Sequence, residues 1–172
     1  LSFDKQGGKL LYQDIKGYED PWRKHHQSSI ARDIWLCTLG KERSFQKITS
    51  FKGEDRNPVW AADGSSFYYL SEEKGSFNIF KNDLTGKKSR QITHHTTHPV
   101  RFLTSDNSGN LCYGYNGEIY TVKEGAQPKK VNVRIVSDKV ENDLIHQLRT
   151  SGATDIAVSP NGKEVAFIGR GD

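Results

Sequence analysis

The sequence predicts an all-β chain, part of a β-propeller assembled from four-stranded antiparallel blades, and three observations predict it. A tight turn containing glycine recurs ahead of an apolar run: Gly7-Gly8 before KLLYQD, Asp63-Gly64 before SSFYYL, Ser108-Gly109 before NLCYGY and Asn161-Gly162 before KEVAFIG. Behind each of the first three turns comes a second run (DIWLCTL, FNIFKNDL, GEIYTV) and then a third (QKIT, RQIT, KKVNV), always in that order. The spacings from Gly64 to Gly109, Phe80 to Tyr120 and Ile48 to Ile92 all fall in the period of about 40–50 residues that such blades require. None of these segments shows the 3.6-residue patterning of helical solenoids.

Within one repeat the strands follow in order. Strand one is the short run before the turn (PVW, PVRFL, DIAVS). Asp-Gly and Asn-Gly between short apolar runs signal a hairpin, because both residue types tolerate positive φ. Strand two is apolar at consecutive positions, Phe67, Tyr68, Tyr69 and Leu70, as expected of a sheet covered on both faces. Strand three, NIFKNDL, turns polar at Lys81, Asn82 and Asp83, which suits a place nearer the rim, and RQIT supplies strand four. The chain is thus divided into three blades over residues 1–135, a linker over 136–153 that lacks a tight turn, and residues 154–172, the first hairpin of a following propeller. A closed propeller needs four to eight blades, so this reads as a fragment with open blade faces. The start at Leu1-Ser2-Phe3, in a chain without Met, reads as an internal cut.

Composition narrows the function classes. With 34% hydrophobic and 27% charged residues over 172 positions, the balance is that of a globular domain with a sizeable core. The net charge of +4 is spread among acidic residues and forms no block, which argues against a nucleic-acid or anionic-membrane surface. No apolar run reaches the 18 residues of a spanning helix. Cys37 and Cys112 have no CxxC spacing and sit in apolar runs, where free cysteine behaves as a small buried hydrophobe.

One departure from the repeat stands out. The connection from strand two to strand three is Asn116-Gly117 in the third repeat and SEEKGS in the second, but in the first it is an insertion from Ile15 to Arg32. In an up-and-down blade this loop emerges on the same face as the links SFKGEDRNP and HHTTHP. Long loops on a rigid scaffold commonly carry function, so Tyr18, Trp22, Arg23, His25 and His26 are the candidate interaction residues. His25 and His26 with His94, His95 and His98 match no metal-ligand spacing and read as polar loops. PWRKHH is a short aromatic and basic patch without a groove, with Trp22 pinning the insertion, and Arg170-Gly171-Asp172 is a turn sequence. No nucleophile elbow, zinc motif, phosphate loop or dinucleotide fingerprint is present, so catalytic residues, cofactors and metals are not expected in this segment.

The stretch DGSSFYYLSEEKGSFNIFKNDLTGKKSRQIT resembles the repeat of tricorn-type and Tol-system propellers, and YEDPWRKHHQSSIARDIW with GATDIAVSPNGKEVAFIGRGD resembles bacterial tricorn protease homologues. The turn proline of that repeat survives only at Pro160, with Ala62 and Asn107 in its place elsewhere. The resemblance implies the end of a six-bladed propeller, a junction at 136–153 and the start of a seven-bladed one. The parent would be a serine peptidase whose core lies outside this sequence, and the propeller would gate or guide peptide substrates toward it. The alternative is a stand-alone propeller scaffold that binds protein partners in the cell envelope, as Tol-type propellers do. Implied partners are a peptide or protein substrate, the rest of the propeller, and a second copy at the open faces. A periplasmic or envelope location is implied, with the cytoplasm as the alternative.

Overall fold

The computed structural model describes residues 1–17, 29–136 and 150–169. They form two compact units, Leu1–Val133 and Arg134–Asp172, and the described strands are all antiparallel. The first unit holds three four-stranded meanders. Blade 1 comprises β1 (Ser2–Phe3), β2 (Lys9–Gln13), β3 (Ile34–Thr38) and β4 (Ser44–Lys47). Blade 2 comprises β5 (Asp55–Trp60), β6 (Ser66–Ser71), β7 (Asn78–Asp83) and β8 (Arg90–Gln91). Blade 3 comprises β9 (Arg101–Ser105), β10 (Asn110–Tyr115), β11 (Glu118–Lys123) and β12 (Lys129–Lys130). The second unit holds one hairpin, β13 (Ala153–Val158) and β14 (Val165–Gly169), in which Ile156 pairs with Phe167 and Val158 with Val165.

The unbroken apolar run of β6 is explained by what covers its two faces. Phe67 and Tyr69 join Leu11, Ile34, Leu36 and Phe80 in the joint between blades 1 and 2. Tyr68 and Leu70 join Ile79, Leu111, Tyr113 and Val122 in the joint between blades 2 and 3. All six residues of β6 are buried, and each large apolar side chain removed from water contributes roughly 1.5–3 kcal/mol. Strand pairing also aligns an aromatic cross-strand pair in every blade, Tyr12 with Trp35, Tyr69 with Phe80 and Tyr113 with Tyr120. Tyr69 and Phe80 are buried against blade 1, and Tyr113 against blade 2. Among the described residues the matching face of blade 1 meets no other sheet of this unit: Phe45, paired with Cys37, is 59% exposed and Phe3 55%. Both cysteines are free, Cys37 buried and Cys112 half-buried.

The recurring Ile-Thr pair lies just past the fourth strand rather than inside it. Ile48 and Thr49 both donate their N–H to the carbonyl of Ile34, and Ile92 and Thr93 do the same to Ile79. Each threonine hydroxyl in turn accepts the N–H of that same isoleucine, at 2.9 Å in both blades. The pair therefore fastens the end of one meander to the start of its third strand. Asn82, expected near the rim, is buried, and its Oδ1 accepts the N–H of Asp83 and Lys88 to hold the following turn.

The first strands of blades 2 and 3 carry a bulge. Asn57 (φ 55°) and Phe102 (φ 56°) stand equally far ahead of the turn glycines Gly64 and Gly109, both in the left-handed region that bulky residues avoid. The bulge takes in Pro58, which is tolerated because β5 is an edge strand of its sheet and a missing N–H can face away from β6. At Asn57 the freed N–H is satisfied across the joint by Gln13 Oε1 at 2.8 Å. At Phe102 the ring lies over Gly114, where any Cβ would press on it.

Candidate functional site

The face that carries the strand-two-to-three loops and the links between blades holds a layer of charged and aromatic groups. Its first part is built at the base of the insertion. β2 ends at Gln13, and Asp14 accepts the N–H of Asp33 at 2.7 Å through Oδ1 and the indole N–H of Trp35 at 3.1 Å through Oδ2. Lys16 donates to the Ala31 carbonyl at 2.7 Å and to Asp33 at 2.5 Å, and Lys47 meets the same Asp33 oxygen at 2.7 Å. Burial alone would lower the Lys16 pKa, but the Asp33 and Asp14 carboxylates outweigh it and hold the ammonium above its ordinary value.

From there the layer crosses into blade 2. Arg32 bonds Glu54 at 2.9 Å, and Arg56 approaches the same Glu54 oxygen at 3.6 Å while its guanidinium lies 4.1 Å over the Phe77 ring. Burial lowers the Arg56 pKa, with Glu54 acting against it. Glu72 accepts the N–H of Glu54 at 3.4 Å, which brings in the β6–β7 loop. Glu54 and Arg56 are buried and Arg32 is half-buried, so removing an arginine leaves the buried Glu54 charge less compensated and costs more than the pair contributes.

The third part is aromatic. The Asn78 side chain clamps the backbone of His95, donating to its carbonyl at 2.8 Å and accepting its N–H at 2.8 Å. So held, His95 sets Nε2 2.9 Å from the Tyr113 hydroxyl and stacks on Tyr115 with ring centroids 3.8 Å apart. Tyr120 closes the group, edge-on to both His95 and Tyr115, and His98 stands edge-on to Tyr115. Desolvation, and then the neighbouring His94, lower the His95 pKa, so the ring is neutral at pH 7. His95 is therefore a packing residue held in a nest of tyrosines. In sequence His95 reads as polar loop; the recurrence of tyrosine at Tyr113, Tyr115 and Tyr120 is the signal that marks the nest.

Tyr18, Trp22, Arg23, His25 and His26, the candidate interaction residues, lie outside the described residues, as does the tripeptide at 170–172. What the structure places is the frame from which the insertion departs and to which it returns. Among the described residues no three of His, Cys, Asp and Glu stand together as metal ligands would, and no helix is long and apolar enough to cross a membrane.

Comparison with known proteins agrees with this architecture. Residues 1–128 match the family described as the tricorn protease N-terminal beta propeller domain. A tricorn protease homolog of Saccharolobus solfataricus is 24% identical over 99% of this chain and 16% of its own length. The tricorn protease of Thermoplasma acidophilum is 26% identical over 90% of this chain and 14% of its own. The chain thus spans about one-seventh of the length of these relatives. Among solved structures, the crystal structure of the tricorn protease superposes with a TM-score of 0.69 at 22% identity, covering 94% of this chain and 15% of that one. A TolB protein from Agrobacterium tumefaciens superposes at 0.62 with 15% identity, covering 75% of this chain and 47% of that one.

Proposed function

This chain belongs to the tricorn protease N-terminal β-propeller family, and from that premise we propose that it is a non-catalytic propeller segment of a tricorn-type serine peptidase, which gates or guides peptide substrates to an active site elsewhere in the parent. One observation carries the reading: the family match, residues 1–128, takes in nearly all of the three-bladed unit. The face described above supports a guiding role. Its charged groups are locked in pairs and His95 in a tyrosine nest, which makes a fixed rim at the two ends of the insertion. The same reading gives the insertion residues Tyr18, Trp22, Arg23, His25 and His26 the contacts with a substrate or a neighbouring domain, and places the parent in the periplasm or cell envelope.

Two measurements test it. The purified chain is expected to leave casein and peptide libraries intact; cleavage that disappears on a serine or histidine substitution within the chain refutes the non-catalytic reading. In the full-length parent, replacing residues 18–28 by a short glycine-containing turn, which spares Lys16 and Arg32 with their partners, is expected to change kcat/KM for long peptides more than for tetrapeptides. An equal effect on both, or none, removes the guiding role and favours a propeller that only binds protein partners.

A further inference from the structure

The two joints of the three-bladed unit allow a comparison within one molecule. Asp55 and Val100 occupy the same position: each stands equally far ahead of its turn glycine, and each donates its N–H at 2.9 Å to the residue two before the isoleucine of strand three, Asp55 to Arg32 and Val100 to Phe77. Asp33 and Asn78 likewise correspond, each immediately preceding that isoleucine. Where the joint between blades 2 and 3 has a fully buried valine and an amide, the joint between blades 1 and 2 has two carboxyls.

The two carboxyls are treated differently. Asp33 is answered by Lys16 and Lys47. Asp55 is 1% exposed, and among the described residues its carboxyl meets the hydroxyls of Thr49 and Ser71, with no partner for Oδ1. The Thr49 hydroxyl already accepts the N–H of Ile34, so one group serves both the carboxyl and the fastening of β3. Around Asp55 stand Asp33 from the start of β3, Glu73 from beyond β6 and the Tyr69 phenol of β6. On its own strand it is flanked by Glu54 and Arg56, which with Arg32 form a separate cluster. The charges that bear on it most, Asp33 and Glu73, are both negative. An ionised carboxylate in such a slot loses its hydration without gaining a counter-charge from the described residues.

We propose that the joint between blades 1 and 2 is a proton-operated fastening, closed while the Asp55 carboxyl is protonated and loosened when that proton passes to solvent, whereas the joint between blades 2 and 3, with Val100 in that slot, lacks this response and, through His95, changes only in the opposite sense. Burial, reinforced by Asp33 and Glu73 against the Thr49 and Ser71 hydroxyls, pushes the carboxyl up to about 7, where the unfolded chain has 3.8. The sign follows. An acid whose value is raised on folding favours the closed state at low pH. Its support falls as pH rises from the unfolded value and is fully lost above the folded one.

Amide hydrogen exchange on the full chain between pH 5 and 8.5, corrected for intrinsic rates, tests this. Protection at Ile34, Ile48 and Asp55 is expected to fall by up to about tenfold per pH unit below pH 7 and to level off above it. Protection at Ile79, Ile92 and Val100 is expected not to fall as pH rises, because the lowered pKa of His95 at that joint favours its closed state at higher pH. Asp55→Asn, and independently Asp55→Val, which installs the residue of the second joint, should flatten the first joint's profile. A flat profile in the wild-type chain, a parallel fall in both joints, or a slope that survives either substitution overturns the proposal.

Discussion

Thr93 Oγ1 lies 2.9 Å from Asn78 Oδ1, and the same hydroxyl accepts the N–H of Ile79. All three residues are buried, so one hydroxyl satisfies a donor and an acceptor that water cannot reach. Thr93→Val keeps the shape and removes both bonds. We expect a loss of about 1–3 kcal/mol in urea unfolding, with Thr93→Ser retaining most of the stability.

The two faces of a blade should respond unequally to truncation. Phe67 is fully buried in the first joint, whereas Phe45 stands 59% exposed on the face of blade 1 that no other sheet of the unit covers. Phe67→Ala is expected to cost about 3–5 kcal/mol and Phe45→Ala less than about 1 kcal/mol. Equal losses would mean that the outer face of blade 1 is buried in solution.

Glycines at positive φ differ in what surrounds them. At Gly64 (φ 66°) a methyl group would meet open space, so Gly64→Ala carries backbone strain alone, about 1–2 kcal/mol. At Gly86 (φ 78°) the added carbon would overlap the carbonyl oxygen of Ile48 in the preceding blade. We expect Gly86→Ala to lower Tm by clearly more than Gly64→Ala.

Asp63 caps its turn, accepting the N–H of Ser65 at 2.8 Å, the N–H of Ser66 at 2.9 Å and the Ser66 hydroxyl at 2.7 Å. Burial works to raise its pKa, but these bonds win and hold the carboxyl at about 2. A depressed acid stabilises the fold above its unfolded value and loses that support as pH falls toward the folded one. The wild-type chain should therefore lose stability between about pH 4 and 2 more steeply than Asp63→Asn, as followed by acid titration of the far-ultraviolet circular dichroism.

Self-association is the expected answer to the open face of blade 1. Light scattering across a dilution series should show a mass rising above 19.4 kDa toward millimolar concentration. A constant monomer mass over the whole series, with Phe45→Ala behaving identically, rules this out.

How much of this was legible in sequence depends on whether a local rule or a neighbour sets the residue. The turns at Gly64 and Gly109 and the alternation of Phe67, Tyr68, Tyr69 and Leu70 follow from local backbone and two-sided burial, so the repeat and its strands could be read directly. The left-handed Phe102 could not, because phenylalanine does not signal positive φ, and its geometry rests on Gly114 in the adjacent strand. Asp55 was equally silent: a carboxylate in sequence reads as surface, and only superposing it on Val100 shows that its slot is a core position. The nest around His95 depends on the Asn78 clamp from another loop, a contact that no spacing within the histidine run announces.

The aromatic cross-strand pairs also differ in the length of chain that each must close. Tyr113 reaches Tyr120 across the two-residue turn Asn116-Gly117, while Tyr12 must find Trp35 across the whole of segment 14–33. By chain entropy the longer closure costs roughly 1 kcal/mol more. The hydrophobic seam would then nucleate in blade 3 and propagate toward the amino terminus, with blade 1 docking last onto a surface already formed.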